Sequence, residues 1–243
     1  MKKLNGTQIK YLMGFLMVFD HLHYLPNFLP LLWVSVFHAL TRCVAVWFAF
    51  NAVEAFFHTS NLKAYLTRLY GCSLLMATGN FLLNWIFEYK GIVLTNNIFL
   101  TLAVGVTLLT LFFKPFKGKE MWSYLLGVLL FFPALFLVEG GIVILLFMLI
   151  TAGLRQKKRL RNLAYLALSF LLLLMSFQLY DTWAVTLEML LFNSDFLFIT
   201  VLPFLALYNG EQGKKTRFNQ YFFYIFYPAH LWLLALIAAL LSK

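Results

Sequence analysis

Lys10-Tyr11-Leu12-Met13-Gly14-Phe15-Leu16-Met17-Val18-Phe19-Asp20-His21 is an apolar run with a cation at one end and an acid–imidazole pair at the other. It predicts a helix inside a bilayer, where ionisable residues are costly and mark function by default. At ~100° per residue, eleven steps return to nearly the same helix face, roughly 16 Å along the axis. A cation at one membrane surface therefore lines up with Asp20 and His21 toward the other side of the core. That geometry suits a long ligand with an anionic end and a reactive end.

The surrounding composition agrees. Of 243 residues, 63% are hydrophobic and 12% are charged, against about 25% charged in a soluble domain. The formal net charge of +10 has no soluble basic domain through which to bind nucleic acid, so it reads as topology. Lys2 and Lys3 before an apolar run mimic a signal peptide. Asp20, His21 and His23 interrupt that run and no small-residue cleavage site comes after it, so the first span is expected to stay in place. Cys43 and Cys72 both fall inside predicted spans; they predict neither a disulfide nor a metal site.

A span needs about 20 apolar residues. The candidates are 8–24, 29–57, 64–87, 92–113, 121–138, 140–154, 162–180, 195–208 and 219–241, with 182–193 as a short interfacial or re-entrant helix. The predicted fold is all-α: a polytopic transmembrane helical bundle of about nine spans, within a range of eight to ten, forming a single domain over 1–243. Basic residues cluster at Lys2, Lys3 and Lys10; at Lys63 and Arg68; at Lys114, Lys117 and Lys119; at Arg155, Lys157, Lys158, Arg159 and Arg161; and at Lys214, Lys215 and Arg217. All fall on one side if the N-terminus is cytoplasmic and 182–208 crosses once, while Glu88, Lys90, Glu139 and Asp181 fall on the other.

Several polar residues could carry chemistry. His21 is the candidate general base, since imidazole suits proton transfer near neutral pH. Asp20 can orient a base and stabilise its protonated form; adjacent helical residues diverge by about 100°, so it can equally bind another helix. Lys10 alone reads as an ordinary cation flanking a span, and its register with His21 adds the second reading. Arg42 at membrane depth requires Asp20, Glu54 or an anionic ligand as partner. Glu54 and His58 share a face at i,i+4, though no second cluster makes them half of a metal site. His58, Lys63 and Arg68 form a basic segment able to hold phosphates, or one that simply obeys the positive-inside rule. Asn80, Asn84, Asn96 and Asn97 can line a polar cavity or bond between helices. In the last span Tyr227-Pro228 suggests a kink, and His230 should face the bundle rather than lipid.

Together these pieces resemble the TraX family of integral membrane proteins. The matching stretches are Lys10 with Asp20-His21; Arg42 followed by Glu54-Ala55-Phe56-Phe57-His58-Thr59, Asn61, Tyr65 and Arg68-Leu69; Asn97-Ile98-Phe99-Leu100-Thr101; Leu202-Pro203 with Tyr208-Asn209-Gly210; and Phe223-Tyr224-Ile225-Phe226-Tyr227-Pro228-Ala229-His230-Leu231. Glu54-Ala55 departs from the family's common Glu-Gly. The resemblance implies a membrane acyltransferase, since the family's namesake is associated with N-terminal acetylation of pilin. Lys-x10-His is also similar to the Arg/Lys-x10-His signature of membrane acyltransferase family 3, in which the cation is linked to coenzyme A and the histidine to catalysis. It further implies a multi-pass protein of a bacterial cytoplasmic membrane, with acetyl-CoA or another acyl-CoA as co-substrate, no metal and no nucleic acid. Its acceptor would be a peptide, pilin or envelope glycan at the outer face.

On that reading His21 and Asp20 are catalytic. Lys10, Arg42, His58, Lys63 and Arg68 hold the donor, while Glu54, Asn97, Tyr224, Tyr227 and His230 meet the acceptor. Two other classes stay open: a proton-coupled transporter using Asp20, His21 and His230 as relay groups, although inverted repeats and paired broken helices are missing, and a non-catalytic factor for pilus or envelope assembly.

Overall fold

The computed structural model describes residues 3–214 and 216–242; Lys2 and Lys215 of the basic clusters lie outside the described residues. All regular structure there is helical, apart from an isolated bridge between Leu4 and Tyr208. The α-helices are α1 (Gly6–His21), α2 (Leu31–Thr41), α3 (Cys43–His58), α4 (Leu62–Ile86), α5 (Ile98–Phe113), α6 (Glu120–Leu137), α7 (Gly141–Gly153), α8 (Lys158–Ser176), α9 (Trp183–Phe192), α10 (Leu202–Leu207) and α11 (Arg217–Leu241), with 3-10 turns at Leu22–Tyr24, Glu88–Lys90 and Ser194–Val201. Among the described residues, four helical stretches are long and apolar enough to cross a membrane: Leu31–His58 (α2 with α3), α6, α8 and α11. A fifth arises if α9 and Ser194–Leu207, bent by 57° at their break, make one span. The protein is therefore a multi-pass helical membrane protein.

The other predicted spans are also helices, with different dimensions. The 13 residues of α7 cover about 20 Å, short of a hydrocarbon core of about 30 Å. The predicted span 92–113 becomes helical only at Ile98, because Asn97 caps α5 by accepting from Leu100 N. The predicted span 29–57 forms α2 and α3, with a single-residue turn at Arg42 whose backbone stays in the helical region, so Leu31–His58 remains one apolar stretch. Segment 182–193 does form a short helix, capped by Thr182 and bent away from Ser194–Leu207.

The chain sorts into two compact units. The first comprises residues 1–47, 79–94 and 166–243. In it α1 opens with a capping box, in which the Asn5 side chain accepts from Gln8 N and the Gln8 side chain accepts from Asn5 N. The same segment is fastened to the loop before α11: Leu4 N donates to Leu207 O at 2.8 Å and Gly6 N to Glu211 O at 2.8 Å. Lys10 Nζ donates to Asn219 O, Gly14 lies against the Phe222 ring, and His21 meets His230. These pairs advance together, so α1 and α11 run parallel and in register. The start of the chain and the loop containing Lys214 therefore share one end of this unit, as the sorting of basic residues requires. At the other end, Lys90 Nζ covers the terminal carbonyls of α11 at Ala239 (2.6 Å) and Ser242 (2.5 Å), where a cation is favoured.

The second unit comprises residues 48–78 and 95–165. Here α5, α6 and α7 pack closely, and a Cβ on Gly141 would strike the carbonyls of Ala134 and Leu135. Glu139, in the α6–α7 turn, is the polar anchor. Its carboxylate accepts from Asn96 Nδ2 (3.1 Å) and Asn97 N (2.5 Å), and its carbonyl accepts from the Thr101 hydroxyl (2.8 Å). Glu139→Ala removes the acceptor of two part-buried hydrogen bonds, each typically worth about 0.5–1.5 kcal/mol. Thermal unfolding of the detergent-solubilised variant should show a clear loss of stability, with Glu139→Gln intermediate. A melting curve equal to the unmodified protein's would remove Glu139 from this role.

Candidate functional site

The first unit gathers seven of the sequence-predicted site residues: Lys10, Asp20, His21, Arg42, Tyr224, Tyr227 and His230. His21 ends α1 and is buried; His230 lies on α11 just beyond Pro228 and is also buried. Their rings are 5.0 Å apart between centroids, and His230 Nε2 is 3.2 Å from His21 Nδ1. Each Nδ1 also faces the carbonyl four residues earlier in its own helix, Met17 O at 2.8 Å and Phe226 O at 2.9 Å. Aromatic rings fix the planes. Tyr24 lies parallel to His21 at 6.2 Å, Phe226 stacks on His230 at 5.2 Å, and the buried Tyr227 meets His230 edge-on at 5.7 Å. Tyr224, partly buried, packs with Tyr221 and Phe223 instead.

Asp20 turns away from His21 toward α2. The Thr41 hydroxyl donates to its Oδ1 at 2.6 Å, and the Arg42 guanidinium approaches to 3.6 Å. Arg42 also pairs with Asp195 at 3.0 Å and donates to the His38 carbonyl at 3.1 Å. Its Nη2 lies 2.7 Å from His38 Nδ1, an atom that is also 3.3 Å from Asp20 Oδ1, so His38 joins the same cluster. Of the two acidic partners expected for Arg42, the described contacts supply Asp20 and not Glu54. Asp195, which opens the apolar stretch after α9, is the second. Lys10, eleven residues before His21, is tied by one ammonium hydrogen to Asn219 O at 2.8 Å, with Tyr11 also bonded to the Asn219 side chain.

The remaining predicted residues lie in the second unit. Glu54 accepts from Arg155 Nε at 3.2 Å, and Arg155 Nη2 donates to His58 Nε2 at 3.2 Å. That triangle uses the predicted Glu54–His58 face, but its cation comes from the densest basic loop, which the sequence marks only as topology. Lys63 and Arg68 are exposed. Lys63 borders an open, apolar groove of about 640 Å³ lined also by Leu66, Tyr70 and Leu74. Asn97 is committed to structure: besides its cap and its bond to Glu139, its amide donates to Ser73 O at 3.0 Å. Among the described residues no three His, Cys, Asp or Glu side chains gather as a metal-holding cluster.

His38, Thr41, Asp195 and Arg155 escape the sequence reading. His38 and Arg42 carry a signal of their own, an i,i+4 pair on one helix face. Asp195 is an acid at the start of an apolar run, the natural counter-ion for an isolated membrane arginine.

Taken together, buried ionisable groups on apolar helices define a polytopic membrane protein with a polar, bundle-facing centre. The chain belongs to the TraX family: the model of that family, described as TraX protein, matches residues 5–238. It is also similar to a Dichelobacter nodosus protein described as "Probable fimbrial assembly protein FimC, serogroup H1", with 29% identity over 76% of this chain and 75% of that one. No solved structure matches.

The Asp20–Arg42 contact gives a measurable expectation. Arg42→Met removes the charge that faces two carboxylates, and hydrogen bonds to charged groups are worth about 1.5–3 kcal/mol. Folded yield and melting temperature in detergent should fall. In a double-mutant cycle with Asp20→Asn the losses should be clearly non-additive; additive losses would mean that the two side chains act independently.

Proposed function

We propose that this protein is a membrane-embedded acyltransferase that moves an acyl group, most simply acetyl, from acyl-CoA to an acceptor at the far face of the membrane. The observation carrying this reading is the buried His21, held in fixed register with Lys10 on α1 and touched by His230. Lys10 spends one N–H on Asn219 O, which leaves two for a phosphate oxygen of the donor. The roughly 16 Å between the two residues is filled by the extended arm of the donor along α1. His21 takes a proton from the acceptor's amine or hydroxyl as that atom attacks the thioester carbonyl carbon. The C–S bond breaks, and the thiolate leaves with the proton from His21 to become the free thiol. The topology that goes with this is nine crossings in a bacterial cytoplasmic membrane, with the N-terminus and basic loops cytoplasmic.

The family and the fimbrial relative support a pilus subunit or another envelope peptide as acceptor. They are equally compatible with a second reading, a non-catalytic membrane factor in pilus assembly. Catalysis separates the two. His21→Ala should lower coenzyme A release and acetyl transfer by the ~10²–10⁴-fold typical of a lost general base, with donor binding nearly intact. Lys10→Ala should do the reverse, weakening donor binding by the equivalent of about 1.5–3 kcal/mol. Unmodified protein that neither binds acetyl-CoA nor transfers its acyl group would leave the assembly reading standing.

Orientation is tested separately. A cysteine placed at the exposed Lys157, in the basic turn before α8, should resist a membrane-impermeant reagent in intact cells and react once the cells are opened. Efficient labelling of intact cells would invert the whole topology.

A further inference from the structure

We propose that His230 is the positioning residue for His21, filling the place that a carboxylate holds beside the histidine of a hydrolytic triad. The inference rests on the acyl-transfer reading for its catalytic consequence, though not for its geometry. The neighbouring carboxylate does not fill that place. Asp20 faces α2, where the Thr41 hydroxyl and the Arg42 guanidinium engage it.

Counting ring hydrogens identifies the acceptor. Met17 O is 2.8 Å from His21 Nδ1 and Phe226 O is 2.9 Å from His230 Nδ1. A carbonyl oxygen can only accept, so each neutral ring carries its hydrogen on Nδ1 and a lone pair on Nε2. The His230 Nε2 lone pair then meets His21 Nδ1 at 3.2 Å, and one N–H is shared between Met17 O and His230. The outcome at His21 is specific: Nε2 is its basic atom. When that atom takes up a proton, the resulting imidazolium already has two acceptors on its other N–H. One of them is an uncharged imidazole, which avoids burying a second ion. Phe226 and Tyr227 brace the His230 ring, and Tyr24 lies parallel to the His21 ring. In a triad, the third group holds the tautomer and stabilises the charged ring without taking the proton itself; His230 is placed to do both.

The test has an arm that needs no acyltransferase activity. Diethyl pyrocarbonate acylates imidazole, and peptide mass spectrometry of detergent-solubilised protein reports its rate at His21. His230→Ala should slow that reaction about tenfold or more, on the scale of the 10–100-fold loss seen when the orienting partner of a metal-bound histidine is removed, even though the substitution opens space around the ring. His230→Gln, whose amide oxygen reaches the position of Nε2, should restore most of the rate. An unchanged or faster reaction in His230→Ala overturns the proposal.

In the acetyl-transfer assay, His230→Ala should lower kcat about 10–100-fold with the acceptor KM unchanged, and Gln should rescue kcat. A raised acceptor KM with kcat intact would make His230 a substrate contact and also overturn the proposal. Unmodified protein without transfer activity, or His21→Ala with full activity, sinks the acyl-transfer reading alone; the modification rates then still decide whether the two rings act as a pair.

Discussion

Asp20 organises the first unit. A carboxylate near the end of an apolar helix is costly unless donors surround it, and removing one partner of such a pair costs more than the pair contributes. Thr41 and Arg42 supply the donors from the point where α2 gives way to α3, and Arg42 carries the connection on to Asp195. Two separate parts of the chain, the α2–α3 junction and the segment opened by Asp195, are thereby drawn to the end of α1. With that end fixed, His21 faces α11, and the parallel register of α1 and α11 brings His230 to it. The imidazole pair thus depends on a salt-bridged network that contains neither ring.

The second unit obeys the same physical rule with different residues. Glu139 ties the entry to α5 to the α6–α7 turn, and Glu54 binds Arg155 beside His58. In a bilayer, apolar side chains gain little by leaving lipid for protein, so packing of small residues and hydrogen bonds between helices become the specific glue. Gly141 against the carbonyls of Ala134 and Leu135 exemplifies the first, and Glu139 the second.

Helix positions were legible because the apolar runs are long and the turns between them carry their own polar or capping residues. The short helix at 182–193 was readable from its length and from Trp183 and Glu188 within it; its Thr182 cap became visible only in the structure. The turn at Arg42 was not readable, since nothing local marks it; its guanidinium there meets Asp20 and Asp195, both distant in sequence. At the site, Lys10, Asp20, His21 and His230 stood out because ionisable groups are rare in such segments. Direction was the part hidden from the sequence. Whether Asp20 serves His21 or α2 is a matter of about 100° around a helix, decided by partners on other elements. Likewise Arg155, one of five cations in a short basic stretch of sequence, gave no sign that it would reach Glu54.

The fastening of Leu4, Gly6 and Thr7 to residues 207–212, together with the contact between His21 and a histidine 209 positions later, has a bearing on biogenesis. At about 5–20 residues per second of synthesis, the first helix is made roughly 10–40 s before its final partner exists. Through that interval the N-terminal segment lacks the backbone partners that later secure it, and His21 has no α11 histidine to meet. A ribosome-bound nascent chain therefore holds an incomplete centre until α11 emerges, and the cell's insertion machinery or a chaperone has a window in which to shield that polar edge from lipid.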